Sequence, residues 1–190
     1  MSPDGSSAKV QPWSRIARRI RVPLGFVFAV VYLWLAKPSV ITIVAGSFVV
    51  GAGLLIRAIA SGHLKKNEEL ATSGPYSYTR NPLYLGSTVI GIGFAIAARD
   101  LWIWILLVSL YVLIYVPVIR SEEAFLQSRF PDFEFYARRV PRLLPRWSGE
   151  SLSTGFSRAL YLKHREYNAL VGAVLMMVAV TVKMLTVKNA

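Results

Sequence analysis

Apolar residues run along this chain in long unbroken stretches, not at the alternating spacings of a soluble core. Five stretches stand out: 22–36, 40–60, 83–98, 101–119 and 168–187. Stretches of this kind predict helices that cross a bilayer, which takes about 20 largely apolar residues. The first is short, but the arginines that precede it can snorkel at its start. Lys37-Pro38-Ser39 predicts a tight turn, and Ala98-Arg99-Asp100 turns the chain back at once. The third and fourth stretches therefore predict a close antiparallel hairpin. Lys183 interrupts the fifth late in its course. The fold expected is an all-α integral membrane protein with five transmembrane helices, a tight hairpin of spans three and four, and a pocket on the cytoplasmic face. The chain would divide into a polar, basic segment 1–21, two membrane helices in 22–60, a core with the hairpin in 61–147, a linker 148–167 and a last membrane helix in 168–190.

Composition agrees with this picture. The chain has 190 residues, 54% of them hydrophobic, which suits one domain. It has no cysteine, so disulfides and Cys-based metal sites are excluded. His63 and His164 lie far apart in sequence and make a zinc site an unpromising reading. The net charge is +12. In a soluble protein that would suggest nucleic acid, but no recognition module accompanies it here. Cytoplasmic flanks and anionic lipid account for it better. Arg15, Arg18, Arg19 and Arg21 precede the first stretch, and Lys65, Lys66 and Arg80 fall between the second and third. A long series from Arg120 to Arg165 falls between the fourth and fifth, while the other side carries Lys37, Arg99 and Lys188. The positive-inside rule then expects a cytoplasmic N-terminus, a C-terminus on the opposite side, and both large polar segments (61–82 and 120–167) in the cytoplasm. The opening "MSPDGSSAKVQPWS" is polar and does not read as a signal peptide. "FPDFEFYARRVPRLLPRW" sets aromatic and aliphatic residues among arginines, as an interfacial segment would.

One polar stretch is richer than a connecting loop requires: "SGPYSYTRNPLYLG", residues 73–86. Gly74-Pro75 signals a turn. Pro82 suits the first turn of the third helix, whose free N–H groups and positive dipole end can hold a carboxylate. Tyr76, Tyr78 and Tyr84 could wall a purine ring or a sulfonium; an interfacial aromatic belt with Arg80 on lipid phosphate is the plainer alternative. Glu122-Glu123 follows the fourth stretch, between Arg120 and Arg129. A salt-bridged collar would explain it, as would a carboxylate binding a cationic or hydroxyl group of a cofactor. Gly91-Ile92-Gly93 suits close helix packing in the hairpin. "SGHLKKNEELAT" (61–72) reads as a solvated loop.

Together these segments resemble the isoprenylcysteine carboxyl methyltransferase family and its phospholipid methyltransferase relatives. "GPYSYTRNPLYLG" looks like that family's G-x-Y-x-x-x-R-H-P-x-Y-x-G, and "EEAFLQSRF" and "YARRVPRLLP" resemble its E-E-x-x-L and V-P-x-x-x-P segments. The likeness runs from about His63 to Pro145. It implies S-adenosylmethionine as methyl donor, with Glu68, Glu69, Leu70, Ala71, Tyr76, Asn81, Pro82, Leu83, Tyr84 and Glu122 lining its site and Lys66 as a further polar contact. It also implies a lipophilic acceptor, either a prenylcysteine carboxylate or a lipid. Beside the resemblance, Arg80 or Arg120 is the residue expected to orient an anionic acceptor. A carboxylate acceptor is already ionised near neutral pH. An amine or hydroxyl would need a proton removed, for which Glu122 or Glu123 could serve. Three positions depart from the family's pattern: Asn81 stands in place of a His, Pro131 in place of a Gly, and Val118 in place of an Arg one turn before the first Glu. Two other readings stay open. One is an NADPH-dependent reductase of the sterol-reductase type; the other is a non-catalytic membrane scaffold or small transporter.

Overall fold

A computed structural model describes residues 12–65, 69–146 and 155–188. Those residues are helical and contain no strand. The helices are α1 (Pro12–Leu35), α2 (Val40–Ser61), α3 (Pro82–Ala98), α4 (Leu101–Leu110), α5 (Val116–Arg129), α6 (Phe133–Arg139), α7 (Arg158–Lys163) and α8 (Tyr167–Lys188). A π-helical turn, Tyr111–Tyr115, joins α4 to α5, so Leu101–Arg129 is one 29-residue rod. The Glu122-Glu123 pair therefore lies on a helix that continues past the apolar stretch. Three segments are long and apolar enough to cross a membrane: Val40–Ser61, Leu101–Arg129 and Tyr167–Val187. The apolar parts of α1 (Pro23–Leu35) and α3 (Pro82–Ala98) are shorter. Three candidate spans mark this as a membrane protein.

The helix ends follow from local chemistry. Ser39 caps α2 in a reciprocal box: its hydroxyl accepts from the Thr42 N–H at 3.3 Å, and the Thr42 hydroxyl accepts from the Ser39 N–H at 2.9 Å. Asp100 caps α4, accepting from the Trp102 N–H at 2.9 Å, and takes a second bond from Lys37 Nζ at 3.1 Å. That lysine bond holds the Asp100 carboxyl below its ordinary pKa. Arg99, in the left-handed region at φ 53, closes the turn between α3 and α4.

The hairpin of α3 and α4 is present, but the tightest packing lies between α2 and α3. A Cβ on Gly46 would sit 2.5 Å from the Gly93 carbonyl oxygen, and one on Gly53 would sit 2.7 Å from that of Gly86. Small residues allow two backbones to meet at this range. The Gly91/Gly93 pair is thus split between partners, with Gly91 facing Leu107 of α4 and Gly93 facing Val50 of α2. A core of Tyr32, Ala36, Ala95, Ala98, Ile103 and Val180 joins α1, α3, α4 and α8.

Lys183, the charge that interrupts the last apolar stretch, caps a neighbouring helix. Its ammonium donates to the carbonyls of Leu33 at 2.6 Å and Trp34 at 2.9 Å, in the last turn of α1, which has no basic residue of its own. Terminal carbonyls away from water need such donors. Lys183→Met should cost about 1.5–3 kcal/mol, the usual range for a hydrogen bond to a charged group. Thermal unfolding in detergent would show it as a lowered midpoint that Lys183→Arg largely restores; an unshifted Lys183→Met midpoint would remove the capping role.

Candidate functional site

The polar loops collect at one end of the bundle, where α2 ends and α3 and α8 begin. A single 3₁₀ turn, Gly74–Ser77, starts the site. Gly74 adopts φ 59, and the His63 ring lies against it, 2.6 Å from where a Cβ would stand. No side chain other than hydrogen fits there. The His63 ring Nδ1 is 2.7 Å from the Ile59 carbonyl, which fixes the ring as a buttress under the turn. Ser77 donates to the Gly74 carbonyl at 2.7 Å. The turn drives Tyr76 inward, leaving it 6% exposed, and its carbonyl accepts from the Tyr136 hydroxyl at 2.7 Å.

Residues 140–146 then run alongside 78–81. The Arg80 N–H donates to the Pro141 carbonyl at 2.9 Å, and the Arg146 N–H donates to that of Tyr78 at 3.0 Å. The Thr79 hydroxyl donates to the Arg142 carbonyl at 3.2 Å. Two segments about 60 residues apart in sequence are thereby zipped together, and the third motif meets them at Glu123. That carboxylate, 7% exposed, accepts from Asn81 Nδ2 at 3.1 Å and from Arg142 Nε at 2.8 Å. Arg80 Nε lies 3.5 Å from it, buried and with no hydrogen bond of its own.

Glu122 looks elsewhere. It is half-buried and makes no hydrogen bond or ion pair among the described residues, yet it acts on the Tyr76 phenol. Burial is the main cause raising the pKa of that phenol; Tyr136, Glu166 and Glu122 raise it further, and Arg57 opposes them. The Tyr136 hydroxyl is likewise pushed up by burial.

Arg57 and Glu166 form an ion pair that the spacing of charges did not reveal. All five guanidinium N–H groups are engaged. Nε and Nη2 donate to the Glu166 carboxylate at 2.8–3.0 Å, and Nη1 donates to the Leu83 carbonyl at 3.3 Å and to the Ser87 hydroxyl at 2.5 Å. A lone arginine inside an apolar helix was the available signal, since a charge there calls for a partner. Its partner lies 109 positions away.

Arg57 also lines an open-sided cavity of about 730 Å³ bordered by α1, α3, the α4–π segment and α8. The walls are mainly apolar and aromatic, including Phe28, Tyr32, Phe94, Trp104 and Tyr111, with Asn168 also in the lining and Ser87 against Arg57.

The remaining expected site residues fall as follows. Pro82 is buried at the start of α3, and Asn81 precedes it without capping it, since its amide is committed to Glu123 and to the Arg142 carbonyl. The Leu83 carbonyl holds Arg57. The Tyr84 ring packs edge-on against Tyr115 at 5.6 Å. Leu70 and Ala71 are half-buried. Glu69 turns to solvent and pairs with Lys65 at 3.0 Å. Arg120 is exposed on α5 and joins none of these contacts. Lys66 and Glu68 lie outside the described residues, as does part of the expected linker. The remainder of that linker contains α7, capped by Ser157.

An all-helical membrane protein with a polar network at one end, holding three short motifs together, defines the class. Residues 59–132 match the phospholipid methyltransferase family, and the resemblance read from the motifs holds over that segment. The chain is 43% identical over 93 residues to the cobalt-zinc-cadmium resistance protein CzcN of Cupriavidus metallidurans, covering 47% of this chain and 43% of that protein. It is 39% identical over 100 residues to the nickel-cobalt-cadmium resistance protein NccN of Alcaligenes xylosoxydans xylosoxydans, covering 53% of this chain and 45% of that one. The match thus spans less than half the length of these curated relatives. No solved structure matches the chain. Among the described residues no group of three or more His, Cys, Asp or Glu side chains could hold a metal ion.

Proposed function

We propose that this protein is an S-adenosylmethionine-dependent integral membrane methyltransferase of five spans, with its cofactor site on the cytoplasmic side and a lipophilic acceptor. One observation supports this most. Arg57 lines the apolar cavity and also donates to the Leu83 carbonyl at 3.3 Å, in the first turn of α3 where the polar motifs meet. A greasy chamber thus meets a polar site at one guanidinium, as an enzyme that joins a lipid to a water-soluble donor requires.

The residues fit that donor. Glu122 is a half-buried carboxylate with no hydrogen bond or ion pair among the described residues, suited to an ammonium or a ribose hydroxyl. The first turn of α3 has no side-chain cap, so its N–H groups suit a carboxylate. Tyr76 supplies an aromatic face, and Leu70 and Ala71, with Lys66, Glu68 and Glu69 upstream, would border the same ligand. The cofactor supplies, when bound, an electrophilic methyl group on a positively charged sulfur. The chain's own contribution is to position and dry the reacting groups. Glu123, Arg80 and Arg142 tie the three motifs together as positioning residues. Glu122 remains the group best placed to take a proton from an amine or hydroxyl acceptor.

Isothermal titration of the detergent-purified protein with S-adenosylhomocysteine tests this, with NADPH titrated in parallel. The wild type should bind the former alone. Glu122→Gln should weaken binding about tenfold or more, the equivalent of one charge-assisted hydrogen bond of ~1.5–3 kcal/mol. Unchanged affinity in Glu122→Gln would take that residue out of the site. Binding of NADPH alone would turn the reading to a reductase.

A further inference from the structure

A second cavity of about 300 Å³ lies between α2 and α8, lined by Leu54, Leu55 and Leu170 and ending at Tyr161, Arg57 and Glu166. Both helices are long and apolar enough to cross a membrane. Leu55 is 61% and Leu170 46% exposed, so the groove opens on their lipid-facing sides. Gly51 widens it, and a Cβ added there would meet nothing within 4 Å. Arg57 and Ala169 line both this groove and the large cavity.

We propose that this groove binds the hydrocarbon chain of a bilayer amphiphile, and that the Arg57–Glu166 pair is the gate between it and the large cavity. The groove matches such a molecule end to end: leucines line its length, and a hydroxyl and an ion pair stand at its polar end. The gate is built to hold and to release. Glu166 follows Arg165, whose φ of 53 is a left-handed conformation unusual for a side-chain-bearing residue. The corner between α7 and α8 is fastened to the end of α2 at two more points. The Ser157 N–H donates to the Gly62 carbonyl at 3.0 Å, and the His164 ring Nδ1 lies 3.3 Å from the Ser61 carbonyl. With these fastenings kept, parting the guanidinium from the carboxylate would join the two chambers without displacing a helix. That the amphiphile is the methyl acceptor rests on the methyl-transfer reading; its binding in the groove does not.

Palmitic acid carrying a diazirine a few carbons from its carboxyl group, added to the protein in lipid nanodiscs and photolysed, tests this. Peptide mapping should concentrate the label around Leu55 and Leu170. Gly51→Trp, which fills the groove from an open position, should abolish that labelling. Glu166→Gln, which loosens the pair but keeps a hydrogen-bonding partner, should carry label to Phe28 and Trp104 in the large cavity. Label spread evenly over all lipid-facing helices, and unmoved by Gly51→Trp, would mean annular lipid only and overturn the site. Label in the groove but no new label in Glu166→Gln would overturn the gate. Titration of the same preparation with S-adenosylhomocysteine reports on the methyl-transfer reading separately.

Discussion

Glu123→Ala should destabilise the protein by several kcal/mol. The carboxylate is 7% exposed and answers three groups: Asn81, Arg142 and Arg80. Removing one partner of a buried ion pair typically costs about 3–5 kcal/mol, because the charge left behind is uncompensated. Arg142 softens the loss, since its half-exposed side chain can turn to water. Arg80 cannot, with a side chain only 13% exposed and an Nε that already lacks a hydrogen bond. The low end of that range is therefore expected. Glu123→Gln, which keeps an acceptor oxygen but loses the charge, should fall between the alanine variant and wild type. Thermal unfolding followed by tryptophan fluorescence checks the order. An alanine variant that melts with the wild type would show that Glu123 is not what holds the three motifs together.

Gly93→Val should prevent accumulation of the folded protein. The new Cβ would lie 2.7 Å from the Val50 backbone nitrogen and 2.8 Å from the Gly46 carbonyl oxygen, and neither can yield as a side chain would. Overpacking against side chains costs about 1–3 kcal/mol; against backbone the two helices must part along their length, and the cost exceeds that range. Gly51→Ala on the same α2 faces open space and serves as the control. Size-exclusion profiles of the two variants expressed alike should show a monodisperse peak for Gly51→Ala only. A monodisperse Gly93→Val protein with wild-type melting would mean that α2 and α3 tolerate a wider spacing.

Most helix positions were legible because a bilayer demands unbroken apolar stretches. The expected second span, 40–60, is α2 at Val40–Ser61, and the fifth, 168–187, falls within α8 at Tyr167–Lys188. The convergence of the three motifs followed from the family resemblance. What escaped the sequence depended on direction and distance. Nothing near Arg57 in the chain names Glu166 as its partner. The pairing of Glu69 with Lys65, four positions back, was likewise not singled out. Gly91 and Gly93 read as one packing motif, but residues two apart on a helix point to different sides and meet different neighbours. The two adjacent glutamates are the same problem in sharper form, since a sequence gives their order and not the faces they present.

Those faces depend on the π turn at Tyr111–Tyr115. A π turn takes up one residue more than an α turn, so every residue beyond it sits one place back on the helical lattice. Drawn tight into regular α-helix, the same sequence would advance by one place, about 100° of rotation. Glu122 would then occupy the position that Glu123 now holds between Arg80 and Arg142, and Glu123 would leave it. The division of labour between the two acids is thus set more than a helical turn upstream, in a stretch with no acidic or basic residue. Tyr111–Tyr115 is a spare length of chain: a residue lost there would leave the downstream register whole, whereas the same loss between Val116 and Glu122 would bring Glu123 to the place Glu122 now holds and set Ala124 between Arg80 and Arg142.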